Sequence, residues 1–319
     1  MSIQREIEKA VAILRTGGLV AFPTETVYGL GADASNPHAV KKIFIAKGRP
    51  QDHPVIVHLP DHTHLNRWAK EIPPAAHKLA RHFWPGPLTL ILRRAQNVSD
   101  ALTGGQDTVG LRVPAHPLAQ TLLREFGGGI AAPSANRFGR VSPTRAEHVR
   151  SELGGKVDMI LDGGACSVGI ESTILDLSGE QAALLRPGKI TRQEIETVLG
   201  MTLRQPKADA PRAPGMLAAH YAPQTRLILA GDLLECVGAL CAQGKRVAVL
   251  ALQTKPDLAP QVIWQVAPAQ AAAYARELYT RLRELDQSGC DVIVAEAPPA
   301  GEEWAAVRDR LTKAAAKAA

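Results

Sequence analysis

Two polar clusters stand where apolar residues would normally continue a buried strand. One runs Phe22-Pro23-Thr24-Glu25-Thr26-Val27-Tyr28-Gly29-Leu30-Gly31 and is followed by Lys47-Gly48-Arg49-Pro50; the other is Pro133-Ser134-Ala135-Asn136. Each follows an apolar run that reads as a strand, Leu19 to Phe22 before the first and Ile130 to Ala132 before the second. Hydroxyls, glycine backbone and cations are groups that bind carboxylate or phosphate, and open α/β sheets hold ligands at such strand ends. The chemistry indicated is anion binding in an enzyme site.

Lys47 and Arg49 close a predicted helix, where cations can simply complement the helix dipole. With the hydroxyl loop upstream they read instead as a phosphate clamp, Arg as a planar fork and Lys as a point charge. Arg112 lies inside the apolar run Val109-Gly110-Leu111-Arg112-Val113, so it either meets a buried partner or binds a substrate carboxylate. Ser134, Asn136, Ser172 and Arg186 also stand beside strands, and His58 ends one. Ser142 reads equally as the cap of a helix opening near Thr144. His58, His62 and His64 lack metal-ligand spacing, and there is neither a GxxxxGK[ST] nor a GxGxxG pattern. Cys166 has no evident activating partner, so covalent catalysis is not indicated.

The elements that must position these residues alternate. Helical faces run over Ile3–Leu14, Pro73–Phe83, Leu118–Glu125, Arg145–Leu153 and Arg192–Leu199, with Asn36-Pro37 opening another. Strands are expected at Val55–Val57, Leu88–Leu92, Val109–Val113, Met159–Leu161, Thr173–Leu177 and Ala183–Leu185. The fold class expected is α/β, a twisted mixed sheet with flanking helices over 1–203. Prolines at 206, 211, 214 and 223 make 204–224 a linker, and His220-Tyr221-Ala222-Pro223 within it suggests a lid. A smaller Rossmann-like α/β accessory domain follows over 225–319, ending in an Ala/Lys-rich helix that frays.

The chain has 319 residues, and its net charge of +6 is unevenly placed. Residues 1–224 hold 26 Lys and Arg against 20 Asp and Glu, and 225–319 hold 11 of each. The excess lies with the polar clusters, as handling of phosphates or RNA would require. No apolar run is long enough to cross a bilayer, the start has no signal core, and the four cysteines show no CxxC spacing; a cytoplasmic protein with reduced thiols is expected.

Taken together, PTETVYGLG, KGRP, PGPLTLIL, GLRVP, APSAN, ESTI, LRPG and the linker HYAP resemble the YrdC-like family, and within it the two-domain threonylcarbamoyl-AMP synthases. The resemblance covers residues 1–200 and the linker, with weaker motifs beyond. It implies an ATP-dependent nucleotidyltransferase. L-threonine, bicarbonate and ATP, with Mg²⁺, become threonylcarbamoyl-AMP and pyrophosphate, for transfer to the adenosine beside the tRNA anticodon by downstream machinery. By matching motif positions, Thr26, His58, Arg112 and Ser172 are expected at threonine, with Ala132 offering main-chain groups. Lys47, Arg49, Thr108, Ser134, Asn136, Ser142 and Arg186 are expected at ATP, together with His220 and Tyr221 from the linker. His53 stands where many relatives have Asn and is kept as an ATP contact. Lys47, Arg49 and Arg112 are the residues expected to serve the chemistry, with no dedicated metal ligands. Two alternatives stay open: an RNA-binding module of the same fold, and a carbamoyl-adenylate enzyme. The resemblance also leaves weak RNA binding open.

Overall fold

The computed structural model describes residues 3–207, 209–256 and 261–316, so the Ala/Lys-rich tip over 317–319 and linker residue 208 lie outside the described residues. The chain divides into two units, Met1–Phe138, Pro143–Ser167 and Glu171–Met216 in one, and Gly139–Ser142, Val168–Ile170 and Leu217–Ala319 in the other.

In the first unit the elements are α1 (Ile3–Arg15), β1 (Val20–Phe22), β2 (Gly29–Asp33), α2 (Pro37–Lys47), β3 (Ile56–His58), α3 (Leu65–Trp68), α4 (Pro74–Phe83), β4 (Leu88–Arg93), α5 (Asp100–Thr103), β5 (Thr108–Arg112), α6 (Pro117–Phe126), β6 (Ile130–Ala131), α7 (Ala146–Leu153), β7 (Met159–Ile160), β8 (Thr173–Asp176), β9 (Ala183–Arg186) and α8 (Arg192–Leu199). They build a nine-stranded mixed sheet in the order β7-β1-β2-β6-β3-β5-β4-β8-β9. Asn36 caps α2 by accepting from the His38 and Ala39 N–H groups, with Pro37 at the first position, as the sequence indicates. The helix stops at Gly48, whose φ of 63° returns the chain toward Arg49. α7 opens later than the Ser142–Thr144 pattern suggests, at Ala146, with Arg145 at its cap and no side-chain cap bond.

Side-chain alternation along the strands divides this unit into two faces. Val57, Leu88, Leu90, Leu92, Val109, Leu111 and Ala131 enter the larger core beneath α2 and α4. The intervening positions face the other way. Val20, Phe22 and Ile130 meet α1 and α6 there, and Ile56, Ile91 and Ile174 form a second cluster. The same face carries His58, Thr89, Gly110 and Arg112 by register, with Ile56 paired to Gly110, His58 to Arg112 and Ile91 to Gly110. The Arg112 that interrupts an apolar run therefore lies on the face of a period-2 strand opposite the larger core. Phe22 and His58 bring their rings to 6.0 Å although β2 and β6 lie between their strands, so the sheet bends over this face.

In this unit one strand escaped the sequence pattern. Gly29–Asp33 pairs with β1 and β6, and its Gly31 is a steric necessity, since a Cβ there would lie 2.8 Å from Phe22 and 2.9 Å from Ile130.

The second unit contains β10 (Leu227–Ala230), α9 (Leu233–Ala242), β11 (Val247–Ala251), β12 (Ile263–Val266), α10 (Ala271–Asp286), β13 (Val292–Glu296) and α11 (Ala305–Ala315). Its four strands are all parallel, in the order β10-β13-β11-β12. Its core is made by Val237, Val247, Val249, Val292 and Val294, among others. Among the described residues no helix is long and apolar enough to cross a membrane.

Candidate active site

Arg112 ends β5 almost fully buried and is held by three neighbours. Its Nη2 donates to Glu25 Oε1 at 2.6 Å, its Nη1 to Thr26 Oγ1 at 2.9 Å and its Nε to the Gly86 carbonyl at 3.2 Å. The Thr24 hydroxyl donates to the Val27 carbonyl, so Thr26 must donate to Thr24 across their 2.8 Å contact. Thr26 Oγ1 can then offer a ligand only a lone pair. His58 sits beside Arg112 in register, buried, and its Nδ1 has no partner among the described residues. Burial and the Arg112 charge push its imidazole down to about 3, so it stands neutral.

The hydroxyl loop joins the second polar cluster through main-chain bonds. Leu30 N donates to the Pro133 carbonyl, Ala135 N donates to that of Tyr28, and Gly29 bridges Ser134. Lys47 locks the other side of this cluster. Its Nζ donates to the Ser134 and Asn136 carbonyls and lies 3.5 Å from Asn136 Oδ1. Burial, and then Arg49 beside it, hold this ammonium well below the ordinary lysine range. Arg49 donates to the Pro54 carbonyl at 2.8 Å and lies over the Phe138 ring at 5.6 Å. His53 meets the same ring edge-on at 5.3 Å. Burial and Arg49 lower the His53 imidazole.

Arg186 ends β9 and folds around one residue, giving Nε and Nη2 to the Ser172 carbonyl at 3.0 and 2.9 Å and Nη1 to the Pro214 carbonyl at 2.9 Å. The Ser172 hydroxyl lies 2.8 Å from that of Thr89 on β4. Ala132 follows β6 and donates its N–H to the Ile56 carbonyl, while Thr108 opens β5 half-buried.

The first unit thus carries Thr26, Lys47, Arg49, His53, His58, Thr108, Arg112, Ala132, Ser134, Asn136, Ser172 and Arg186, whereas Ser142, His220 and Tyr221 belong to the second. There Tyr221 adopts a φ of 63°, stacks on Tyr279 at 6.0 Å and receives the Arg310 guanidinium at 5.1 Å.

Sequence reasoning missed Glu25 as the partner of Arg112, Thr89 as the partner of Ser172, and Phe138 between Arg49 and His53. Thr89 was detectable as the polar alternate in Leu88-Thr89-Leu90, and Glu25 as the acidic neighbour of Thr26; Phe138 left no signal. Burial and Glu25 push the Cys166 thiol up to about 12, which leaves it unreactive. No cluster of three or more His, Cys, Asp or Glu capable of holding a metal occurs among the described residues.

Two families match this chain. One, of Sua5, YciO and YrdC and described as "Telomere recombination", covers residues 12–188. The other, "Threonylcarbamoyl-AMP synthase, C-terminal domain", covers 190–316. The threonylcarbamoyl-AMP synthase of Pyrococcus abyssi is 42% identical over 97% of this chain and 94% of its own length. That of Bacillus subtilis is 44% identical over 97% and 93%. A crystal structure of P. abyssi Sua5 complexed with L-threonine superposes with a TM-score of 0.90 at 41% identity, covering 99% of this chain and 95% of that one.

Proposed function

The chain belongs to the Sua5, YciO and YrdC family in its two-domain form, and from that premise we propose how its residues share the work of making threonylcarbamoyl-AMP. It is an enzyme of threonylcarbamoyl-AMP synthesis, acting in the threonylcarbamoyl modification of tRNA. The substrates are L-threonine, bicarbonate and ATP, and the products are threonylcarbamoyl-AMP and pyrophosphate.

The observation that carries the assignment is the buried face on which neutral His58, with its open Nδ1, stands beside Arg112. The threonine carboxylate takes the two Arg112 N–H groups that have no described partner, because Glu25, Thr26 and Gly86 use the other three of a guanidinium's five. His58, Ser172, the Thr26 lone pair and the Ala132 main chain address the rest of the amino acid. Lys47, Arg49, His53, Thr108, Ser134, Asn136 and Arg186 serve the nucleotide, and for Ser142, His220 and Tyr221 the same role follows from motif position alone.

In the reaction the free threonine amine attacks the bicarbonate carbon and water leaves, giving a carbamate whose oxygen attacks the α-phosphorus of ATP as the bond to pyrophosphate breaks. No protein nucleophile is required. The residues orient the two substrates and stabilise negative charge, which in well-ordered cases supplies about 7–11 kcal/mol of the barrier. Mg²⁺ belongs to the nucleotide substrate and neutralises phosphate charge. The product passes to a tRNA-transfer machinery in the cytoplasm.

Pyrophosphate release from ATP and bicarbonate, with threonine present, absent or replaced by serine, tests this function. Threonine-dependent release with labelled threonylcarbamoyl-AMP supports it. Release without threonine identifies another acceptor, and RNA binding without release identifies a binding module.

A further inference from the structure

We propose that Glu25 is a positioning residue for the threonine subsite: it fixes the Arg112 guanidinium for the substrate carboxylate and balances its charge, so that this subsite refuses the triphosphate. The proposal rests on the assignment of Arg112 to threonine given above.

Both Glu25 oxygens are committed. Oε1 accepts from Arg112 Nη2 at 2.6 Å, and Oε2 accepts from the Ala115 N–H at 2.9 Å. One carboxylate therefore grips the side chain that ends β5 and the backbone three residues beyond it. The two side chains are 5% and 9% exposed, so water does little to screen the pair. With Thr26 on Nη1 and Gly86 on Nε, each nitrogen of the guanidinium has one partner. Its two remaining N–H groups are the number a carboxylate accepts in a forked pair.

Charge explains why the anchor is an acid and not another carbonyl. An unbalanced buried arginine would attract ATP, the more highly charged substrate, at least as strongly as a zwitterionic amino acid. Lys47 shows the other arrangement, since all its described hydrogen bonds go to neutral oxygens of Ser134 and Asn136. A subsite neutralised by Glu25 selects a carboxylate by shape, and the Lys47 side selects phosphate by charge.

The test uses the full-length chain as wild type, Glu25→Gln and Glu25→Asp. Threonine binding is followed by calorimetry, turnover by pyrophosphate release, and folding by thermal unfolding. Gln offers one acceptor where two donors converge, whereas Asp keeps the charge and withdraws it by one methylene. For Glu25→Gln the threonine KM rises about 20-fold or more, the ATP KM stays within about twofold, and kcat at saturating threonine stays within about threefold. Inorganic tripolyphosphate becomes competitive with threonine in Glu25→Gln but not in wild type or Glu25→Asp. Glu25→Asp has an intermediate threonine KM, and it carries the test alone if the Gln variant does not fold. Unchanged threonine KM in the folded variants, equal rises for both substrates, or tripolyphosphate competing in wild type would each overturn the proposal. A wild type that binds no threonine overturns the assignment of the subsite and the proposal together. A wild type that binds it no better than the variants overturns the proposal alone.

Discussion

The two ends of the candidate site hold buried positive charge in different ways. At the end proposed for threonine, Arg112 is matched by a carboxylate, Glu25, at 2.6 Å. At the end proposed for phosphate, Lys47 is matched by peptide and amide oxygens, which accept its protons without supplying a full counter-charge. A full counter-charge makes a subsite that reads geometry. Partial dipoles leave the subsite electropositive, which suits the phosphate role proposed for it.

The comparison is broken most forcefully at Arg112. Arg112→Ala leaves Glu25 buried with only the Ala115 N–H, and removing one partner of a buried ion pair costs about 3–5 kcal/mol. We expect a large fall in thermal stability and a threonine KM that rises far more than the ATP KM. Equal rises in steady-state kinetics would mean that the ends are not separate. Next in size is Lys47→Met, which keeps the stem but orphans the Ser134 and Asn136 carbonyls. Loss of phosphate attraction and of the cluster's shape should lower kcat/KM for ATP about 100-fold, near 3 kcal/mol, with the threonine KM little changed. Lys47→Arg should not restore it, because a planar fork does not fit oxygens that converge on one point.

His58 sharpens the comparison through pH. Its folded-state imidazole lies at about 3, against about 6.5 for an ordinary histidine. Between those values the unfolded chain binds a proton that the folded chain does not, so stability rises with pH through this window and is flat above it. Acidification from pH 7 to pH 5 should therefore cost about 2 kcal/mol through this residue. Unfolding of His58→Gln at the two pH values should show a correspondingly shallower loss than wild type. An identical loss would mean that His58 is protonated in the fold and that Arg112 exerts less field than its position implies.

How much of this was legible differs between the ends. Lys47 and Arg49 could be placed from sequence because Asn36-Pro37 opens a helix and Gly48 closes it, which fixes where the two cations emerge. Arg112 was visible as an intruder in an apolar run, and the need for a partner followed from the cost of burying a charge. Which partner was not legible: Glu25 is 87 residues away in sequence, and the two meet only because β1 and β5 belong to one bent sheet. The strand at Gly29–Asp33 was hidden for a related reason. Its glycines lower strand propensity, and only the crowding of Phe22 and Ile130 explains the one at Gly31. In the second unit α9 and β12 were likewise missed, since Leu233–Ala242 is apolar nearly all round and β12 is a short edge strand.

Ser172 tests whether the two proposed ends can be separated at all, because it touches Arg186 while its hydroxyl also meets Thr89. Its carbonyl holds Arg186 by two N–H bonds, and its hydroxyl lies 2.8 Å from Thr89 and 3.2 Å from Arg186 Nη2. Ser172→Ala removes the hydroxyl and leaves the carbonyl, so the stronger hold on Arg186 survives while the threonine face loses one polar group. A single hydrogen bond of this kind is worth about 1 kcal/mol, which predicts a threonine KM raised about fivefold and an ATP KM within about twofold. A rise confined to ATP would show that the hydroxyl works mainly through Arg186. The threonine end would then stop at Arg112 and His58, and the boundary between reading by geometry and reading by charge would fall between β5 and β8.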